Sequence, residues 1–312
     1  MDQADFFLPP GEVADCVLLR PDLRLVRAAN PSPFTGAGTN SYLLGRGNVL
    51  LVDPGPDLPA HAQALLSALT PGERITHILV THAHADHSAL APRIAAATGA
   101  AVLAFGTAGS GRSARMERLA ALDRLGGGEG VDAGFTPDRC LADGEVLETG
   151  AGQITAIHTP GHMANHLCFA WQDCLFTGDH IMGWSTSIVS PPDGDMAQYR
   201  ASLRRVMAGD WRLALPGHGA PIADLRGRCT ALLRHRAARE AAILAALGAD
   251  PSSLEDLTAR IYADTPQKLW PAAARNLLAH LIDLNDRGLV RADPDPVPTA
   301  RFSAGPAAAD SP

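Results

Sequence analysis

A chain of 312 residues with 46% hydrophobic and 19% charged side chains is an ordinary globular protein that can bury one large core or two. Its formal net charge of −7 argues against a dedicated nucleic-acid binder, and no apolar run approaches the roughly 20 residues of a membrane span. The five cysteines (Cys16, Cys140, Cys168, Cys174 and Cys229) are scattered, which speaks against a disulfide framework. With no basic-then-apolar leader pattern at the N-terminus, the expected location is cytoplasmic.

Residues 1–15 are Pro-rich and acidic and predict a loosely attached arm. Extended segments follow over 16–27, broken at Pro21, then a polar loop over 30–38. A strand over 41–44 turns at 45–48 into a return strand over 49–52. Asp53 ends that strand, either as a turn residue or as an acceptor that orients a neighbouring loop. Residues 58–69 have helical apolar spacing, and 75–80 is short, apolar and β-branched, as a buried strand demands. A helix over 88–98 and a strand over 100–105 come next. Between 106 and 139, glycine clusters flank Arg112, Arg115, Arg118 and Arg124, which reads as a solvated helical insertion or as a mobile cover that meets an anionic substrate.

The β pattern resumes at Gly144, with strands over 154–157, 165–170, 173–176 and 212–215. After Pro221, helices are expected over 225–247, over 253–262 with Ser252 or Ser253 as cap, and over 272–287, before a small hairpin from Gly288. Three helices and a short β wing suggest a winged helix, and the Pro- and Ala-rich end from Pro294 is expected to be disordered.

Between Thr81 and Ser88 the chain places His82, His84, Asp86 and His87 within six positions. Imidazoles at that density repel one another if charged and strand ring nitrogens if buried, and a divalent cation resolves both problems. His82 and His84 fall in the loop after strand 75–80, with Asp86 and His87 at the start of the next helix. Alternate positions point different ways, so the spacing could serve two metals, His82 with His84 and Asp86 with His87. Further strands deliver His162, Asp179 and His218 into glycine-rich loops, so a sheet edge collects such residues from distant sequence.

In that order, these residues resemble the motif set of the metallo-β-lactamase superfamily, over about residues 15 to 225. The resemblance implies an α/β fold, the αββα metallo-β-lactamase sandwich with a C-terminal winged-helix-like helical domain. The expected division is an arm over 1–15, the metallo-β-lactamase domain over 16–224, the winged-helix-like domain over 225–293 and a disordered tail over 294–312. It implies one metal on His82, His84 and His162, another on Asp86, His87 and His218, and Asp179 bridging the two. The ions are expected to be zinc, with manganese or iron accepted by the same ligands. Asp86 would also orient a nucleophilic hydroxide shared by the two cations. Secreted β-lactamases of the superfamily carry cysteine where Asp179 stands, so antibiotic hydrolysis is not the expected role.

A closer likeness is to the β-lactamase-like protein 2 group. It extends through Thr159-Pro160-Gly161-His162, Gly178-Asp179-His180, Pro216-Gly217-His218-Gly219 and the segment from His235 to Glu240. Members of that group are associated with cleavage of single-stranded RNA, and fungal relatives with release of acyl chains from carrier-protein thioesters. The implied activity is therefore hydrolysis of an ester or thioester in a small-molecule or acyl substrate. The alternative is metal-dependent endonuclease action on single-stranded RNA, and a non-catalytic binding module is a third reading.

His166, four positions after His162, is a candidate proton donor to a leaving group or a hydrogen-bond partner of the ligand loop, and His180, next to Asp179, is a candidate catalytic residue that either faces substrate or lies behind the ligands. His158 reads as a satisfied core histidine, and His61, His77, His235 and His280 are assigned no function. Segment 184–195 is expected to line the pocket, with Trp184 either stacking on substrate or filling core, and Tyr199 and Arg200 reaching the same cleft. The third helix of the winged unit offers only Arg275 and Arg287 against Asp283 and Asp286. That is weak for phosphate contact, so the unit is expected to wall the active site or to contact a second copy in a homodimer.

Overall fold

The computed structural model describes residues 16–248 and 250–306; the predicted arm over 1–15 and the end of the predicted tail over 307–312 lie outside the described residues. Strands β1 (Val17–Arg20), β2 (Leu23–Arg27), β3 (Asn40–Leu44) and β4 (Asn48–Val52) form an antiparallel meander. Helix α1 (Pro59–Ser67) crosses to β5 (Arg74–Leu79), which runs parallel to β4. Helices α2 (Ala85–Ser88) and α3 (Ala91–Thr98) lead to β6 (Ala101–Ala104), and after α4 (Ala114–Ala120) the short β7 (Arg139–Cys140) completes a seven-stranded sheet in sequential order. The single helix expected over 88–98 is thus two pieces. Pro92, which has no N–H to donate, is tolerated only in a first turn, so the second helix starts at Ala91.

The second sheet contains β8 (Val146–Thr149), β9 (Gly152–His158), β10 (Leu167–Trp171), β11 (Cys174–Gly178) and β12 (Leu213–Pro216), in the order β12-β11-β10-β9-β8. Helix α5 (Met196–Met207) makes the crossover from β11 to the parallel β12. Period-two alternation distributes the apolar side chains over the layers. Leu50, Val52 and Leu79 from one sheet meet Leu167, Phe169, Trp171 and Phe176 from the other. Val49, Leu51 and Ile78 point the opposite way, onto Leu65 of α1 and Ile94 of α3. Cys168 and Leu175 leave the second sheet outward to meet Tyr199 and Leu203 of α5. Helix, sheet, sheet, helix is the resulting order of layers, as the resemblance implied.

Helix α6 (Leu225–Ala246) begins on that outer layer through Leu225, Cys229 and Leu232 and ends with Ile243 in a separate C-terminal core. There it meets β13 (Ser252–Ser253), α7 (Leu254–Ile261), α8 (Trp270–Asp286), β14 (Val290–Asp293) and β15 (Arg301–Ala304). Ser253 caps α7 in a capping box with Asp256.

The disorder expected from Pro294 is wrong for residues 294–306. Strand β15 pairs with both β13 and β14, and Val297, Ala300 and Phe302 are buried in the C-terminal core. Their apolar contact outweighs the proline-rich composition around them. Phe302→Ala is expected to cost about 3–5 kcal/mol of the C-terminal unit's stability in denaturant unfolding, where a loose tail would change it by less than about 0.5 kcal/mol.

The arginine-rich insertion is helical over Ala114–Ala120, as one reading expected, but it is docked on both sides and not merely solvated: residues 130–132 bond to the loop carrying His84, with the Ala85 N–H on the Gly130 carbonyl at 2.8 Å. Met116 and Leu119 of α4, with Leu125, belong to the C-terminal core. Arg112 pairs with Asp193 at 2.6 Å, Arg115 with Asp286 at 3.0 Å, and Arg124 donates to Thr299 at 3.2 Å. The insertion fastens the two units together. No helix among the described residues is long and apolar enough to cross a membrane.

Candidate metal centre

The centre forms at one edge of the sandwich, where β5, β9, β11 and β12 end. Asp53 anchors the loop after β5 from the left-handed region, φ 50°. Its carboxylate accepts the Thr81 backbone N–H at 2.7 Å, the Thr81 hydroxyl at 2.8 Å and the His87 Nδ1–H at 2.9 Å. Of the two readings of Asp53, the orienting one holds. Asn165 accepts from the Ala83 N–H at 3.4 Å and donates to the Gly106 carbonyl at 3.2 Å, tying the loop to the second sheet. Gly217 lets the His218 loop pass close beneath: a Cβ there would lie 2.5 Å from the His87 ring and 2.6 Å from Asp179 Oδ1.

The seven predicted ligand residues converge. His82, His84, His162 and Asp179 bring one donor atom each to within 4.8 Å of one another, and Asp86, His87 and His218 do the same. In the first group His84 Nδ1 lies 3.0 Å from His82 Nε2 and 3.1 Å from His162 Nε2. In the second, His218 Nε2 lies 3.3 Å from both His87 Nε2 and Asp86 Oδ2. Asp179 stands between them, with Oδ2 3.3 Å from His218 Nε2 and 3.8 Å from His162 Nε2, and Oδ1 3.4 Å from His87 Nε2.

The far nitrogens decide whether this arrangement suits a cation. The Nδ1–H groups of His162 and His218 donate to the carbonyls of Ile188, at 2.6 Å, and Gly38, at 3.2 Å, while His82 Nδ1–H donates to Thr81 Oγ1 at 3.0 Å. With His87 Nδ1–H held by Asp53, four rings are fixed with Nε2 inward, the nitrogen that each would offer to a cation on losing any proton there. Bare lone pairs about 3 Å apart repel, and donors around a tetrahedral zinc stand about 3.3 Å apart. Asp179 Oδ1 is buried without a hydrogen bond, so the donor set fits divalent metal.

Electrostatics divide the cluster. Burial, with the neighbouring imidazoles, drives His82 well below the usual histidine range and His84 down to about 3, and burial also lowers His162. Burial also works against charge on His87 and His218, but carboxylates outweigh it. Asp86, Asp179 and Asp53 hold His87 well above its ordinary value, and Asp179 and Asp86 raise His218 to about 9. Burial likewise disfavours the ionised forms of Asp86 and Asp179, yet His87 and His218 keep both carboxyls below the ordinary range.

The metal-free centre therefore carries protons on the second group at neutral pH and almost none on the first. Metal uptake at pH 7 is expected to release protons from His87 and His218, and affinity there should rise with pH by up to about tenfold per pH unit per released proton, the His218 contribution ending near pH 9. Calorimetry in buffers of different ionisation enthalpy checks this; uptake without proton release would refute it.

His166 and His180 do not reach the open face of the cluster. Both are completely buried behind it: His166 Nδ1 is bonded to Thr159 Oγ1 at 2.9 Å, and the His180 ring packs against Tyr199 with centroids 5.0 Å apart. Burial, with the neighbouring imidazoles, depresses both, His180 to about 3. Neither ring offers a nitrogen to the open face, and both His180 nitrogens are buried without a hydrogen bond among the described residues. Tyr199 is buried and Arg200 pairs with Glu240 and Asp283, so neither enters the cleft. Trp184 is 45% exposed, with its indole over Gly36 and Gly219, so it is a rim residue and not core. Among the described residues, the backbone acceptors Gly38 and Ile188 went unread in the sequence because a carbonyl has no side-chain signature.

The family model of the metallo-beta-lactamase superfamily matches residues 34–218, and that of the beta-lactamase associated winged helix domain matches 253–299. The chain is similar to a beta-lactamase-like protein 2 homolog of Drosophila melanogaster, 30% identical over 284 residues, covering 85% of this chain and 88% of that one. It is also similar to an atrochrysone carboxyl ACP thioesterase of Cryptosporiopsis sp., 29% identical over 251 residues, covering 79% of this chain and 69% of that one. Among solved structures, a metallo-beta-lactamase family protein from Thermus thermophilus is 26% identical with a TM-score of 0.72, over 92% of this chain and 99% of that one. A beta-lactamase domain protein from Burkholderia ambifaria, 22% identical with a TM-score of 0.76 over 97% and 98%, speaks for the fold alone.

Proposed function

This chain belongs to the metallo-β-lactamase superfamily and is a metal-dependent hydrolase of that family, and from that premise we propose that it cleaves acyl thioesters, or the corresponding esters, with two divalent cations, preferentially zinc. His82, His84 and His162 would hold one cation, Asp86, His87 and His218 the other, and Asp179 both. The observation that carries the two-metal reading is the Asp179 carboxylate, which reaches the histidines of both groups from one side chain. Such cations, when bound, supply Lewis acidity and an acidified water.

The chain's own residues provide orientation. Asp86, whose side chain is 27% exposed, offers an ionised carboxylate at the open face. Thr39 donates to its Oδ2 at 3.4 Å, and Asn30 Nδ2 donates to Thr39 Oγ1 at 2.9 Å. This chain of bonds aims a proton acceptor at the space above the cluster. His166 and His180 are sealed from that space, and this bears on the leaving group. A thiol has a pKa of about 8.5 and departs as thiolate without a general acid, whereas an alkoxide leaving from RNA asks for a proton.

The thioesterase names of relatives at 29% and 31% identity support the same class. RNA finds less support in the winged unit. Arg275 of α8 is bound to Ser190, Leu125 and Gly126 inside the joint, and Arg287 to Glu240 and Asp283. The test compares turnover of acyl-carrier-protein and coenzyme A thioesters, matched oxygen esters and a fluorescent single-stranded RNA by zinc- and manganese-loaded protein, with His84→Ala as the contamination control. Thioester turnover that vanishes in the control is expected; RNA cleavage with inert thioesters would replace the reading by the endonuclease one.

A further inference from the structure

Away from the ligand loops, α5, α6 and the end of α8 border an open groove of about 650 Å³ lined by Arg200, Arg204, Leu233, Arg234, Glu240 and Arg287. We propose that this groove is a second binding site, for an organic phosphate carrying at least two negative charges. Its volume falls in the range of small-molecule sites, roughly 300–1,000 Å³, and exceeds what an ion alone needs.

The four guanidiniums are not equivalent. Arg200 is fixed by Glu240 at 2.8 Å and Asp283 at 2.6 Å, and Arg287 by the same two carboxylates at 2.7 and 3.2 Å. These pairs neutralise two charges and brace α5, α6 and α8 against one another. Arg204 and Arg234 have no ion pair or hydrogen bond among the described residues, although they stand on facing helices at one concavity.

Four cations against two carboxylates leave a surplus of two positive charges, in a chain whose net charge is −7. A local surplus of positive charge attracts anions to this concavity although the chain as a whole is acidic. Two unpaired guanidinium forks suit phosphate, which accepts paired N–H bonds from more than one arginine, better than a single carboxylate. The apolar floor, Leu233 with two alanines, leaves room for an uncharged organic part.

The site is independent of the thioester reading. Its residues lie on helices of the outer layer and C-terminal unit, and none belongs to the metal-ligand loops. The experiment titrates zinc-loaded full-length protein with ADP, coenzyme A and inorganic pyrophosphate, and repeats the series with R204E/R234E. Both side chains are exposed and unpaired, so an unchanged melting temperature and unchanged turnover of a small uncharged ester are expected; R204Q/R234Q replaces the pair if charge reversal impairs folding.

Binding of an organic phosphate by the parent protein, weakened about tenfold or more in the variant and by added salt, is the expected result. Preference for ADP or coenzyme A over pyrophosphate would show that the floor is used and tell free nucleotide from coenzyme. Equal affinity in parent and variant would assign binding to the metal centre and overturn the proposal. Binding of pyrophosphate alone, or of none of the three up to about 5 mM, would overturn it as well.

Discussion

Asp179→Asn is expected to lower kcat/KM by about a thousandfold or more, close to 4 kcal/mol of transition-state stabilisation, and to reduce bound metal below two per chain. The substitution keeps the side chain's volume, so the fold around β11 is preserved. It removes the charge that raises His87 and His218, and it replaces one oxygen with an amide nitrogen that has no lone pair to offer a cation. Because Oδ1 faces His87 while Oδ2 faces both His162 and His218, asparagine in either orientation leaves at least one of these histidines facing an amide nitrogen. Activity within tenfold of the parent at full metal content would show that the two groups do not depend on this carboxylate.

Asp53→Asn is expected to weaken metal binding about 10- to 100-fold although Asp53 is not among the ligand candidates. Its Oδ2 holds His87 with Nε2 facing inward, and it is 2% exposed, so water cannot substitute for it. Asparagine can retain the Thr81 N–H bond through its remaining oxygen. Its amide N–H₂ then faces both the His87 Nδ1–H and the Thr81 hydroxyl, which share Oδ2 in the parent, and the ring loses its anchor.

Asp53→Ala removes all three bonds and should cost about 3 kcal/mol or more of stability in addition. Comparing the two variants by competition with a chelator and by unfolding separates orientation of the ring from support of the loop. Asparagine at parental metal affinity would contradict the role.

The legible parts of this protein were those where one physical demand dominates a short stretch. The run His82, His84, Asp86, His87 has no comfortable arrangement without a cation, and the strand before it is apolar because both of its faces are buried. Helices α6, α7 and α8 declared themselves by spacing and by Ser253. Long-range partnership was not legible. Arg115 meets Asn285 and Asp286, and Arg124 meets Thr299, across more than half the chain, so the insertion's arginines looked free.

Burial decided other cases. His166 and His180 have the right residue type and the right neighbours, and only sheet packing puts them behind the cluster. Phe302 was obscured by prolines and alanines around it, yet one aromatic paired between two strands is enough to order that end. Trp184 went the other way, since nothing local distinguishes a rim tryptophan from a core one.

Zinc titration of metal-free protein, read by elemental analysis after removal of unbound ions, addresses the shared centre most directly. Saturation at two zinc ions per chain, with the second requiring higher pH than the first, is the predicted outcome, since the second group surrenders protons held up to about pH 9. Saturation at one ion per chain across that pH range would contradict a centre in which Asp179 serves two cations.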